Sequence, residues 1–436
     1  MSTAAPKDHG LIRAMGTWGL AAAIANVTIG GGIFRLPASA ADALGPAAPV
    51  AYLVCAVVMA LIVLCIAEAG SRVALTGGPY AYVEVAFGPY AGFLTGVMVW
   101  LTGATAIAAI GNVFMDNLAA LVPAFTSRAL RVTGLVAIYA GLAAVNVAGV
   151  RHGARLVVVT IVAKLLPLLL LLALGLFAIE PANLAVTAAP DLPTITRASI
   201  VLLFAFTGIE SALVPSGEVR DPARTVPRAV FIAMGGVTVV YLGLQFVAQG
   251  VLGPALAGSA TPLADAAGVV MGPAGRTLLL VGVLVSTFGY LSGMTLALPR
   301  SLYAFARDGI LPRALASVHP AWRTPWLAIL AQTGITILLA LTNRFESLAV
   351  ISNVGALLAY LGCAAAAWQL RRRGIREADA TPFRVPGASV VPALAALAIV
   401  GLLTSITWPE WLVLIQVVAV GTALFVVARR RPRVAD

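Results

Sequence analysis

Charge is what this sequence has least of. Only 10% of its 436 residues are Asp, Glu, Lys or Arg, against 61% that are hydrophobic, and the mean hydropathy is +0.99. A soluble chain of this length needs roughly 25% charged residues to cover its surface. The shortage excludes a surface that faces water throughout and leaves lipid as the main surrounding. Cysteine is almost absent as well. Cys55, Cys65 and Cys363 all sit inside apolar runs, where they read as small buried hydrophobes and exclude a disulfide framework or a metal site. The three histidines, His9, His152 and His319, all lie outside those runs. No HExxH, P-loop or GxSxG pattern occurs, so the sequence offers no enzyme chemistry, no metal and no cofactor. The longest polar stretch runs only from Arg371 to Pro386, too short for a soluble domain.

What the sequence does contain is long apolar runs. A helix needs about 20 apolar residues to cross a bilayer. Twelve segments qualify: 11–39, 47–69, 87–121, 132–148, 156–178, 198–214, 229–252, 277–305, 326–342, 348–370, 390–406 and 411–428. The runs are unbroken, whereas the strands of a membrane β-barrel alternate apolar and polar positions, so a barrel is excluded. The first run is too long for a cleavable signal peptide and is followed by further spans. The net charge of +11 does not point to nucleic acid. With the N-terminus in the cytoplasm, 21 of the 28 basic residues fall inside and six outside: Arg35, Arg128, Arg131, Arg197, Arg276 and Arg344. Lys164 lies within a span. That bias predicts a multi-pass protein of a bacterial inner membrane with both termini cytoplasmic.

Two spans are expected to break. Gly30, Gly31 and Gly32 lie side by side in the first. Each costs a helix about 1 kcal/mol. Glycines that serve close helix packing sit four apart on one face, while three in a row point all round, which predicts unwinding. The sixth span carries Phe204-Ala205-Phe206-Thr207-Gly208-Ile209-Glu210, with an acid two residues past its glycine. The two breaks lie five spans apart. That spacing suits two inverted repeats, about 11–178 and 198–370, with helices over 390–428 appended, all within a single transmembrane domain. Matching broken helices point to a transporter site near the midplane. Unwound backbone exposes N–H groups that hold a carboxylate and carbonyls that accept from an ammonium. Such a site reads a zwitterion, and so suits an α-amino acid.

Buried charge supplies the other candidates. Lys164 lies nine residues after Arg155, about 13 Å along a helix and so near mid-membrane, where an unpaired cation costs at least about 2.5–3.5 kcal/mol. It needs carbonyls, hydroxyls or an acid, or else it snorkels. Glu210 is either a structural acceptor or a carboxyl that loads and releases a proton. Asp116 reads as interfacial and structural, and Glu68 as a gate or loop anchor.

Four segments, in order, resemble the amino acid–polyamine–organocation transporter superfamily. They are Ile29-Gly30-Gly31-Gly32-Ile33-Phe34-Arg35-Leu36-Pro37; Glu68-Ala69-Gly70-Ser71-Arg72 with Gly77-Gly78-Pro79-Tyr80-Ala81-Tyr82; Phe204 to Glu210 with Gly217 to Pro222 and Val226-Pro227-Arg228; and Arg300 to Pro312. The resemblance implies the leucine-transporter fold, five plus five inverted helices working by alternating access. The helix-six run is similar to that of arginine/agmatine antiporters. Carried across, the substrate carboxylate meets Gly31 and Gly32, beside Gly30. The amino group meets the carbonyls of Thr28, Phe204 and Thr207, within the run that includes Ala205 and Gly208. Phe204 is the aromatic lid and Glu210 the acidic switch. Met294 replaces that subgroup's helix-eight aromatic, and the third-helix contacts fall on Thr102 and Ile107, which favours a smaller or apolar substrate side chain over arginine. Lys164 takes the position where sodium-driven relatives bind sodium, with Ser286 and Thr287 as helpers. The expectation is therefore a sodium-independent secondary amino acid transporter, a proton symporter or an exchanger, monomeric or homodimeric in the bilayer. A polyamine carrier needs more acids than Glu210, and a non-transporting sensor needs an added signalling domain or tail.

Overall fold

The computed structural model describes residues 16–73, 75, 78–148, 154–186, 188–209, 219–376, 381–385, 387 and 389–430. No β-strand occurs among them. The helices are α1 (Thr17–Thr28), α2 (Leu36–Leu44), α3 (Ala48–Arg72), α4 (Pro79–Phe87), α5 (Pro89–Leu121), α6 (Arg128–Ala148), α7 (Ala154–Gly175), α8 (Leu192–Leu202), α9 (Pro222–Leu252), α10 (Pro262–Ala297), α11 (Pro299–Arg307), α12 (Trp326–Thr342), α13 (Phe345–Arg372), α14 (Val390–Leu403) and α15 (Trp408–Arg430). Among the described residues, seven helical stretches are long and apolar enough to cross a membrane by themselves, and four shorter apolar ones lie at 164–178, 192–205, 326–342 and 390–403. The twelve apolar runs are thus helical over most of their described residues. The first is split into α1 and α2, and the eighth into α10 and α11 at Pro299, where a ring nitrogen cannot donate to the ladder.

Two features differ from the expected spans. The short helix α4 falls in a segment too polar to register as apolar. Helix α10 begins at Pro262, well before 277, and bends at Gly272 (φ +70°), just before Pro273. Asp265 and Arg276, paired at 3.2 Å across that bend, hide the helix from a hydropathy reading.

Small and hydroxylated residues let the helices approach closely. Between α5 and α13, Thr102 Oγ1 donates to the Ser352 carbonyl (3.1 Å) and Ser352 Oγ donates to the Thr102 carbonyl (3.0 Å). A Cβ on Gly355 would lie 2.8 Å from Thr102 Oγ1. Asp191 caps α8 by accepting from the Thr194 N–H at 3.0 Å, which holds its carboxyl below the usual range.

Polar residues gather at two rims. One joins the C-terminal ends of α3 and α13. There Glu68, fully buried, accepts from Arg72 Nη2 (2.8 Å) and Nε (3.1 Å), from Arg371 Nε (2.8 Å) and Nη2, and from the Val385 N–H (3.2 Å). The other rim joins the C-terminal end of α5 to the N-terminal ends of α6, α8, α13 and α15. It carries Arg131–Asp116 (2.6 Å), Arg35–Glu346 (3.4 Å) and Arg197–Glu410 (2.9 Å). Removing the shared acceptor of the first rim leaves two arginines facing each other, and breaking a buried pair costs about 3–5 kcal/mol. Glu68→Ala is therefore expected to lower the melting temperature in detergent clearly, and Glu68→Gln less so. A melting curve of Glu68→Ala that overlays wild type would show that the arginines find other acceptors.

Candidate functional site

Both expected breaks exist. Helix α1 ends at Thr28, the Gly30 N–H turns back to the Thr28 carbonyl (2.7 Å), and a 3-10 turn over Gly32–Phe34 leads into α2. The N–H groups of Gly31 and Gly32 have no backbone acceptor among the described residues. They head the α2 segment, where the helix dipole favours negative charge. In the sixth span α8 ends at Leu202, a 3-10 turn covers Leu203–Ala205, and Gly208 takes φ +116°, a conformation that costs other residues strain. Glu210, the expected acidic switch, lies outside the described residues.

The two breaks enclose a small cavity of about 40 Å³, lined by Val27, Thr28, Gly30, Gly31, Gly32, Thr102, Gly103, Ala106, Ile110, Phe204, Thr207, Gly208, Tyr290 and Met294. No charged side chain lines it among the described residues. One wall is backbone, from the glycine run and from Thr207–Gly208. Ala106 and Ile110 of α5 and Met294 of α10 supply apolar lining, and Thr102 and Tyr290 bring polar side chains. The glycines are needed for the close approach of neighbours: a Cβ on Gly31 would lie 2.6 Å from Ile110 Cδ1, and one on Gly32 would lie 2.7 Å from Phe204 Cδ1.

The expected residues divide. Thr28, Gly30, Gly31, Gly32, Phe204, Thr207, Gly208 and Met294 line the cavity, while Ala205 does not. Its carbonyl accepts from Tyr241 Oη at 2.9 Å. Thr102 lines the cavity, but Ile107, buried elsewhere, does not, and Ile110 takes that place. Positions 102, 106 and 110 follow the four-residue repeat along one face of α5, and 107 lies at the margin of that face. The Phe204 carbonyl is approached by Thr207 Oγ1 (3.1 Å).

Lys164 is buried and donates to the carbonyls of Asn26 (2.5 Å) and Ile29 (2.8 Å), at the point where α1 ends. Among the described residues it makes no hydrogen bond to Ser286 or Thr287. Thr287 Oγ1 donates to Val283 within its own helix, and its methyl borders Gly31.

Sequence reasoning missed Tyr241 of α9. Fully buried, its hydroxyl is 2.9 Å from both the Thr28 and the Ala205 carbonyls and so ties the two breaks together. Its only signal was a tyrosine inside an apolar run. Tyr290, Gly103 and Ala106 gave none.

Phe204 meets Phe345 edge-on, with ring centroids 5.5 Å apart. Beyond this pair a larger cavity, about 860 Å³, is lined by Arg35, Asp42, Arg197, Arg344 and Glu346 among others. Arg35 spans it, donating to the Ser259 carbonyl (3.0 Å) and to Glu346 (3.4 Å).

Comparison with known proteins adds to this geometry. The sequence profile of the amino acid permease family matches residues 15–429. The serine/threonine exchanger SteT of Bacillus subtilis (strain 168) is 30% identical, over 89% of this chain and 90% of its own length. The methylthioribose transporter of the same organism is 26% identical, over 98% and 96%. Its branched-chain amino acid permease BcaP is 25% identical, over 92% and 90%.

Proposed function

The chain belongs to the amino acid permease family, and from that premise we propose that it carries small neutral amino acids across a bacterial inner membrane by alternating access, without sodium. The observation that carries this reading is the cavity between the two breaks. Backbone N–H groups of Gly31 and Gly32 suit a carboxylate, the carbonyl of Thr207 suits an ammonium, and the space between Ala106, Ile110 and Met294 suits a short side chain. A polycation finds no acid in the lining among the described residues. The architecture proposed is the leucine-transporter type, with repeats over 11–178 and 198–370 and two further helices over 390–428. The pair of broken helices supports it.

Two gates fit alternating access. The Phe204–Phe345 contact stands between the site and the larger cavity, which the Arg35–Glu346 pair lines; a cytoplasmic N-terminus would put both on the outer side. The Glu68 cluster closes the opposite rim. Lys164 supplies a hydrogen-bond donor at the end of α1, and Glu210 is the carboxyl that would take up a proton. A serine/threonine exchanger among the relatives supports exchange of short side chains.

Counterflow in proteoliposomes tests this. Vesicles loaded with L-serine should take up labelled L-serine, and L-alanine and L-threonine should compete. L-serinamide and ethanolamine lack the carboxylate that two N–H groups hold. Hydrogen bonds to charged groups contribute about 1.5–3 kcal/mol each, so these two compounds should compete more weakly by a factor of at least about 100. Equal competition by ethanolamine, or uptake of methylthioribose with no response to any amino acid, overturns the reading. Uptake that requires loaded vesicles identifies exchange, and uptake driven by a pH gradient into empty ones identifies proton symport.

A further inference from the structure

We propose that this protein holds one anionic phospholipid in a groove between α5, α11, α12 and α15, with an acyl chain along the groove and the phosphate at Arg313 and Arg429. The groove has a volume of about 400 Å³, and its exposed wall is apolar throughout. Phe93, Val97, Trp100, Phe305, Ile335 and Gly421 are among the residues that form it. It is separate from the substrate cavity and shares no lining residue with it.

Its direction follows from the rims. Helix α5 starts here and ends at the rim of Asp116, while α15 starts at the rim of Glu410 and ends here. The groove therefore opens toward the rim of Glu68 and Arg371. At that end the charge is basic. Arg313 lies between Leu311 and Leu315, both of which line the groove. Arg429 sits over the ring of Phe425 (5.0 Å), which stacks on Phe93 (5.4 Å) of the groove wall. Arg307 is also near, but it pairs with Asp308 at 3.5 Å, and both are exposed. The acids near this mouth among the described residues include Asp308 and Glu84, which packs against Gly92 next to Phe93.

In a bilayer an acyl chain gains little by leaving other chains, because lipid tails are as apolar as the groove. A groove on the lipid side is filled by some chain in any case. Selection comes from the headgroup: arginines near the membrane surface attract anionic lipid, and basic pockets between helices bind such headgroups. Arginine also holds phosphate through two parallel hydrogen bonds. A zwitterionic headgroup brings its own cation to the same two arginines and loses that advantage.

Native mass spectrometry of the full-length protein, released from nanodiscs of equal phosphatidylglycerol and phosphatidylcholine, tests the site. Wild type should retain one phosphatidylglycerol per chain in preference to phosphatidylcholine. The double variant Arg313→Gln, Arg429→Gln changes exposed side chains only, and should lose the preference by about fivefold for each arginine removed. Gly421→Leu should lower retention of both lipids, since a Cβ there already contacts Phe93, Leu94 and Val97 at 3.8 to 3.9 Å and a longer side chain enters the groove. Serine binding should be unchanged in both variants, which shows that they are folded. Equal retention of the two lipids by wild type overturns the proposal, as does a phosphatidylglycerol preference that survives the double variant. Retention unaffected by Gly421→Leu places the lipid elsewhere. A dimer that buries Gly421, detected by a Gly421→Cys crosslink in the bilayer, assigns the groove to a second copy instead.

Discussion

Gly31→Leu should abolish substrate binding while the protein still inserts and folds. A Cβ at this position would sit 2.6 Å from Ile110 Cδ1 and 3.0 Å from Thr287 Cγ2. Both are the far ends of side chains, so Gly31→Ala needs only small shifts and should keep weakened binding. Leucine adds three more carbons. The space left for them is the cavity of about 40 Å³ itself, the space a carboxylate would need. The cost to folding is that of overpacking, about 1–3 kcal/mol, which a membrane protein with this much helix packing tolerates. Binding should fall below detection in a thermal-shift titration with L-serine, where a ligand that binds only the folded state raises stability by mass action. Wild-type affinity in well-folded Gly31→Leu would remove the glycine run from the site.

Lys164→Ala should collapse transport, again without loss of insertion. The ammonium donates to two carbonyls, those of Asn26 and Ile29, where α1 has stopped supplying its own donors. Each buried acceptor left without a partner costs about 1–3 kcal/mol, so two cost about 2–6 kcal/mol. That is enough to shift the end of α1 to another conformation in most molecules. Lys164→Met keeps the side chain's bulk without its charge and should fail as completely as alanine, which separates the role of the cation from that of packing. Because the Lys164 nitrogen already occupies these carbonyls, uptake in sodium and in choline at equal pH should coincide. Sodium stimulation of wild type would show that the ammonium is no substitute for an ion. Full activity in Lys164→Ala would show that the carbonyls matter little to the cycle.

These two residues show how far the sequence could be read. The glycine run was legible because three adjacent glycines are a local weakness in a helix whatever surrounds them. Lys164 was legible as a problem, since a lysine so deep in an apolar run needs a partner, and the broken first helix was the neighbour that the family resemblance implied. Its acceptors, 138 and 135 residues away in the chain, came only from packing. The helpers expected at Ser286 and Thr287 make no hydrogen bond to it. The apolar lining of the cavity was the least legible part. One apolar residue of α5 looks like the next, and the choice of Ile110 over Ile107 depends on how α5 is rotated against its neighbours.

By itself the sequence determined the environment and the class of architecture: scarce charge with runs of about 20 apolar residues has one common solution in lipid, the helix, which satisfies its own backbone. It determined where two of those helices fail, because glycine weakens a helix locally. It also carried the family. Only the tertiary structure decided that Glu68 is shared by Arg72 and Arg371, that Tyr241 ties both breaks through the carbonyls of Thr28 and Ala205, and that α5 presents Thr102, Gly103, Ala106 and Ile110 to the cavity. Each of these joins groups far apart in the chain through the angle and rotation at which helices pack. Those are set by the side-chain contacts of whole helix faces and leave no mark in any short stretch of sequence.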